Sequence, residues 1–222
     1  MPIEVYLETG SKRVFAGAID WPGWCRSGRD EDAALESLFA YGFRYRNVVR
    51  RSKISFTQPA KPSTLKLVER LKGDATTDFG APSIAPAADS RSIDRRWFTR
   101  QSKILEACWA AFDDAAGSAT GELAKGPRGG GRQLDKIIGH VIGAEASYLR
   151  MIGGKAPDFE EADAGAARAE ERGIVLEALE RAVVDGVPQG PRGGKRWSAR
   201  FFVRRAAWHV LDHAWEIEDR SS

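Results

Sequence analysis

Three histidines are all that this 222-residue chain contains, and they are His140, His209 and His213. His209 and His213 stand four residues apart within a predicted helix. That spacing puts two imidazoles about 40° apart around the axis and about 6 Å along it, close enough to share one ion. An HxxxH pair alone is common. What raises it here is that all three histidines fall in the C-terminal half, with His140 on a different predicted helix. Neutral imidazole binds divalent first-row metals. Three such ligands leave a coordination position open to water or substrate, whereas structural zinc sites usually close all four with protein. Asp212 and Glu145 stand near the histidines in sequence. Each reads either as an acid–base or supporting group, or as one half of a surface ion pair. The chain shows no nucleophilic triad pattern, phosphate-binding P-loop or dinucleotide fingerprint.

Four helices are needed to position these residues. Apolar stripes at helical spacing predict them at about Ser102–Ala116, Gln133–Ile152, Ala166–Asp185 and Ser198–Asp219, the last with Ser198 as N-cap. Amphipathic helices of comparable length predict an up-down four-helix bundle in which the second and fourth run parallel. Gly126-Pro-Arg-Gly-Gly-Gly-Arg precedes the second helix and Gly190-Pro-Arg-Gly-Gly-Lys-Arg the fourth. A parallel run would bring both loops to one end, where free N–H groups and arginines suit an anion, unless Pro and Gly serve only to make tight turns. On the wheel, His140 lies about 130° from the centre of its helix's apolar stripe, beside Gly143, Ala144 and Ser147. A flank of small residues leaves room at a metal. Phe201, Trp208 and Trp215 recur every seven residues outside the main apolar face of the last helix. They read as a contact stripe, for a second subunit ahead of the N-terminal half.

Upstream, Ile3–Leu7 and Arg13–Ile19 read as strands, and Trp21-Pro22-Gly23-Trp24 as a turn. Asp30 reads as the cap of an Ala/Leu helix, Ile54–Phe56 as a returning strand, and Pro62–Lys72 as a short second helix. Residues 73–94 are rich in Ala, Pro, Ser, Asp and Gly, show neither hydrophobic period, and read as a linker. The expectation is an α+β chain of two domains, at 1–72 and 95–222.

Two resemblances sharpen this reading. The stretch from Ala18 to Glu36, with its Pro-Gly turn and acidic cap, resembles HicB-like antitoxin domains over roughly residues 3–50. In that family the small α/β domain binds a partner protein, and here it would otherwise be a structural or dimerising module. Gly139-His140 through Tyr148-Leu149 and Arg205 through Ala214 resemble the two signature segments of the DinB-like metalloprotein superfamily, over roughly residues 95–220. That resemblance implies a four-helix bundle, commonly a homodimer. It also implies a divalent metal, typically zinc or nickel, held by His140, His209 and His213. It implies further a metal-dependent transferase or hydrolase acting on a small molecule, in some members together with a low-molecular-weight thiol. The alternative is a non-enzymatic binding or regulatory protein that acts through its HicB-like half and keeps a structural metal.

Composition sets the outer bounds. With 42% hydrophobic and 29% charged residues the chain is ordinary for a globular protein, and no apolar run is long enough to span a membrane. Net charge is +3, so nucleic-acid binding is not forced. Arg44, Arg46, Arg50, Arg51 and Lys53 end a predicted helix, where cations favour the dipole and sit in solvent. Cys25 and Cys108 have no close cysteine partner, read as small buried residues, and fit a reducing cytoplasm.

Overall fold

The computed structural model describes residues 2–119, 122–125, 131–157 and 164–221. Its fold is α+β. The sheet contains β1 (Ile3–Thr9), β2 (Val14–Ala18), β3 (Cys25–Gly28) and β4 (Leu65–Lys72) in the order β3-β2-β1-β4. β1 pairs antiparallel with β2 and parallel with β4. Between β3 and β4 lie α1 (Glu31–Ala40) and α2 (Gly42–Val49). Asp30 starts α1 as expected, its carboxylate accepting the Ala33 N–H at 2.8 Å. The Trp-Pro-Gly-Trp turn needs its glycine twice over. Gly23 has φ +90°, and a Cβ there would stand 2.9 Å from Leu211 and 3.3 Å from a carbonyl oxygen of Ala207.

Pro62–Lys72 is not a helix. Leu65, Leu67, Glu69 and Leu71 alternate with more exposed residues, and the segment is an edge strand beside β1. Lys, Leu, Glu and Arg favour helix intrinsically, but a two-residue period and a free sheet edge override that preference. Ile54–Phe56 forms no strand. Instead Phe56 packs edge-to-face on Trp24 and Tyr45, with ring centroids 5.3 Å apart in both cases.

Residues 73–94 contain α3 (Ala75–Phe79) and a 3-10 turn at Ala87–Ser90, so the stretch read as a linker carries structure. Its polar composition serves caps and buried bonds. Glu8, wholly buried, accepts from the Thr77 hydroxyl and the Ser83 and Ile84 N–H groups. Asp89, 3% exposed, binds a buried arginine of the last helix.

The helical half comprises α4 (Arg95–Ser118), α5 (Leu134–Met151), α6 (Ala164–Asp185) and α7 (Ala199–Arg220). Their directions follow from contacts at the ends. Arg200 lies over Trp97, and Trp215 and Glu218 share a small pocket with Ala111 and Asp114, so α4 and α7 run the same way. Arg95 pairs with Glu180, and Arg172 with Asp113, so α6 runs opposite to α4. The Trp197 N–H donates to the Met151 carbonyl at 2.9 Å, and Gly131 lies against Arg220. α5 and α7 are therefore antiparallel, not parallel. Strict alternation requires every connection to be a hairpin. The twelve residues between Met151 and Ala164 can reach the length of an 18-residue helix, ~27 Å, at ~3.3 Å per residue.

One hydrophobic core runs through both halves, joining Val5, Trp24 and Leu38 to Leu105, Phe112 and Val210. The stripe on α7 belongs to this packing. Trp208 meets Phe15 at 6.0 Å, Trp215 meets Tyr41 at 5.0 Å, and Phe201 meets Trp197 at 5.0 Å. The N-terminal half and the α7 approach loop thus cover the stripe, rather than a second subunit, because the sheet offers apolar rings at the matching heights. Two of the five basic residues are engaged within the chain, Arg44 with Glu218 and Asp219 and Arg51 with Asp114, while Arg46, Arg50 and Lys53 are exposed. Cys25 and Cys108 are buried and unpaired. Burial pushes the Cys25 thiol up to about 12 and the Cys108 thiol higher still.

Arg204 is the polar bolt between the halves. Its guanidinium donates to Asp89 at 2.8 and 2.7 Å and to the carbonyls of Ala18 and Ile19 at 2.8 and 2.9 Å. Burial opposes its charge, but the bonds to Asp89 overcome that and raise its pKa. Arg204→Met leaves a buried carboxylate unpaired, and the expected loss of stability is about 3–5 kcal/mol. Urea unfolding followed by tryptophan fluorescence checks this. The double variant with Asp89→Leu is expected to lose less than the two single losses added; strict additivity would show that the pair is not coupled.

Candidate metal centre

The antiparallel run brings the histidines level. His140 lies six residues beyond the start of α5 and His213 seven residues before the end of α7. His209, one turn earlier on α7, completes the group. His140 Nε2 and His209 Nε2 stand 3.2 Å apart. Ring centroids are 5.0 Å apart for each pair with His140 and 4.8 Å for His209 with His213. One nitrogen from each ring falls in a set whose members all lie within 4.8 Å of one another. Two nitrogens bound tetrahedrally at ~2.05 Å to zinc would be ~3.3 Å apart. The spacing therefore suits a single small ion.

The donors are in the state that a metal requires. His209 is 5% exposed. Burial first, then the neighbouring His213 and Arg205, pull its pKa down to about 2. His140 is lowered by burial and then by His213 and Arg132. Both rings are neutral near pH 7 and offer lone pairs. The Nδ1–H of His213 donates to the Glu216 carboxylate at 2.9 Å, which turns Nε2 toward the other two rings. Carboxylate support of this kind fixes the tautomer of a ligating histidine. Glu216 is held below the usual carboxylate range by that bond, and Arg220 also donates to it at 2.7 Å.

Glu216 is the supporting residue that the sequence reading missed. Its signal was present, three residues beyond His213 and on the same face. The two groups weighed instead lie elsewhere. Asp212 pairs with Arg26 of β3 at 2.7 Å, and Glu145, 5% exposed, accepts from the Trp109 indole of α4. Neither reaches the histidines.

The site opens to one side. His140 is exposed, and a Cβ added at Gly139 or Gly143 would meet nothing within 4 Å. The predicted flank of small residues, Gly143, Ala144 and Ser147, thus lies beside His140 on the outer side of α5. The largest cleft, of about 1030 Å³, is a different place, lined by Trp21, Trp97, Arg100 and Arg200 near the starts of α4 and α7. No histidine lines it. The Gly/Arg loop at 126–132 lies mostly outside the described residues. The second loop, at 190–196, meets the C-terminal end of α5, where the Trp197 N–H reaches Met151, whereas Gly131 and Arg132 stand before the start of that helix.

No family model, curated protein or solved structure matches this chain.

Away from the histidines, two acids share the interior of the helical half. Glu171 is 2% exposed, and its Oε1 has no partner. Burial first, then the Glu145 carboxylate, push it up to about 7. A carboxyl raised in the folded state holds a proton that the unfolded chain has released. Its contribution is fully present below the unfolded value, near 4.5, and is lost as pH rises through about 7. Stability is therefore expected to fall between pH 5 and pH 8 by on the order of 2–3 kcal/mol from this group. Glu171→Gln is expected to flatten that slope and to be more stable than the parent at pH 8. Urea midpoints at the two pH values check it.

Proposed function

We propose that this protein binds one divalent metal ion, zinc or nickel, at His140, His209 and His213. We also propose that its helical half is a four-helix bundle of the DinB-like kind, acting as a metal-dependent transferase or hydrolase on a small molecule, a thiol being one of its reactants. The observation that carries this reading is three converging imidazoles, two of them kept neutral by their surroundings, with one side of the cluster open. A metal held there would supply Lewis acidity and lower the pKa of a bound water or thiol. The chain's own residues do the rest. Glu216 holds His213 in one tautomer, burial keeps His209 unprotonated, and Gly139 and Gly143 leave space for a reactant. An open fourth position favours the catalytic reading over a structural metal in a HicB-like regulatory protein. A homodimer would have to use a surface other than the aromatic stripe, which the chain covers itself.

Elemental analysis of the purified protein, followed by zinc titration, tests the site. About one ion per chain is expected for the parent. His140→Ala, His209→Ala and His213→Ala should each lose stoichiometric binding, while Glu216→Gln should weaken it by roughly 10–100-fold. Parental affinity in His140→Ala would remove the three-histidine site.

A further inference from the structure

We infer that Arg205 is the anchor for a carboxylate on the molecule that reacts at the histidine centre, so that the substrate class is a small carboxylic acid whose reacting atom lies about one helical turn from its carboxylate. This rests on the metal reading above and adds to it a residue and a ligand chemistry.

The argument begins with partners. α7 carries four arginines. Arg200 donates to the carbonyls of Arg91 and Ser92, Arg204 to Asp89, and Arg220 to Glu216. Arg205 differs from these three. A side-chain hydrogen bond joins it to the Tyr148 hydroxyl, but its Nη1 is buried without a hydrogen-bond partner, and among the described residues no carboxylate pairs with it. Leaving a guanidinium nitrogen desolvated and unsatisfied is costly, and a bound anion is what usually removes that cost.

Position gives the second argument. Arg205 is one turn before His209 on the same face of α7. Its Cζ lies 4.7 Å from the Trp208 ring centroid and 5.4 Å from that of Tyr148. Those same two rings meet the His209 imidazole at 6.0 and 5.6 Å. The cation and the metal-binding ring thus touch the same two rings, Tyr148 on the α5 side and Trp208 on the side that packs against Phe15. Rings against a guanidinium hold it flat and leave its edge for approach, which suits a planar carboxylate.

The charges around the histidine centre set an orientation. Beyond His213 stands Glu216, which is already spoken for by His213 and Arg220. Arg132, near His140 at the start of α5, adds positive potential from the end away from Tyr148. A carboxylate is drawn to the Tyr148 end by the unpartnered Nη1 of Arg205, and to the Arg132 end by potential alone. This difference can be measured.

The test uses the full-length protein loaded with cobalt(II), whose visible bands report ligands entering its coordination sphere. The probes are 4-mercaptobenzoate and 4-mercaptobenzamide. They have the same ring and sulfur, differ by one charge, and cannot chelate a single ion because the ring is rigid. The parent is expected to bind the acid at least tenfold more tightly than the amide. Arg205→Met should bring the two within about twofold while cobalt stoichiometry and melting temperature stay near parental. Arg205→Lys, which keeps the charge and guards against a folding defect, should retain an intermediate preference. Arg132→Gln should leave the preference largely intact. Equal binding of acid and amide by cobalt-loaded parent overturns the anchor and leaves the metal site standing, as does a preference that Arg132→Gln abolishes and Arg205→Met does not. A parent that takes up no cobalt overturns both.

Discussion

The constraint on which the rest depends is the near-total burial of α7. Of its 22 residues, 16 are buried, because the sheet and α1 press on one side while α4 and α5 press on others. A surface helix needs only one apolar stripe. This one carries two, and the second, built from Trp208 and Trp215, is what the N-terminal half packs against. Burial on that scale makes an unmatched charge costly, and two of the arginines of α7 are matched inside the fold. Arg204 is matched by Asp89 and two strand-end carbonyls, and Arg220 by Glu216 and the Ala124 carbonyl. His209 and His213 are buried for the same reason, which makes their chemistry a consequence of packing.

The residues of α7 that meet solvent are Arg200, Arg205, Asp212 and Glu216 in part, and Glu218 and Asp219 at its end. On α5, Gly139 and Gly143 stand on the outer side, where an added Cβ would meet nothing within 4 Å. Each costs about 1 kcal/mol of helix stability relative to alanine. The return is access: His140 remains exposed while the two histidines on α7 do not. The result is an asymmetric cluster, dry behind and wet in front. Such an arrangement keeps the rear imidazole neutral and lets a reactant approach from the side of His140.

Much of this was legible from residue spacing. The three histidines, the Ser198 cap and the flank of small residues on α5 were visible because they depend on local period and on composition. The Asp30 cap and the strands at Ile3 and Val14 follow the same local rules. Helix direction was not visible. The reversal of α5 is what sets His140 level with the pair on α7, by placing the start of one helix beside the end of the other. Pro62–Lys72 was misread because its residues prefer helix, while its partner, β1, lies sixty residues away. The stretch 73–94 looked structureless for a related reason. Its bonds run at long range, from the Ser83 N–H to the Glu8 carboxylate and from the Arg204 guanidinium to that of Asp89, and no periodicity records them.

The N-terminal sheet then has a physical role that does not depend on what else it binds. Three histidines on two helices converge only if α7 is fixed in rotation as well as in position. A turn of about 40°, less than half the step between successive residues, would carry one imidazole away from His140. Contacts with α5 touch α7 on one side only, at residues such as His140 and Tyr148, and do not by themselves fix that angle. The rotation is set from behind. Trp208 seats against Phe15, Trp215 against Tyr41 under the Arg26 and Arg44 guanidiniums, and Arg204 reaches the ends of β2 through Ala18 and Ile19. These contacts lie along most of the helix and on the side away from His140. They hold the angle while leaving the His140 side free. The sheet therefore acts as the reference surface against which the histidines are aligned, and the open face of α5 is tolerable because the alignment does not come from it.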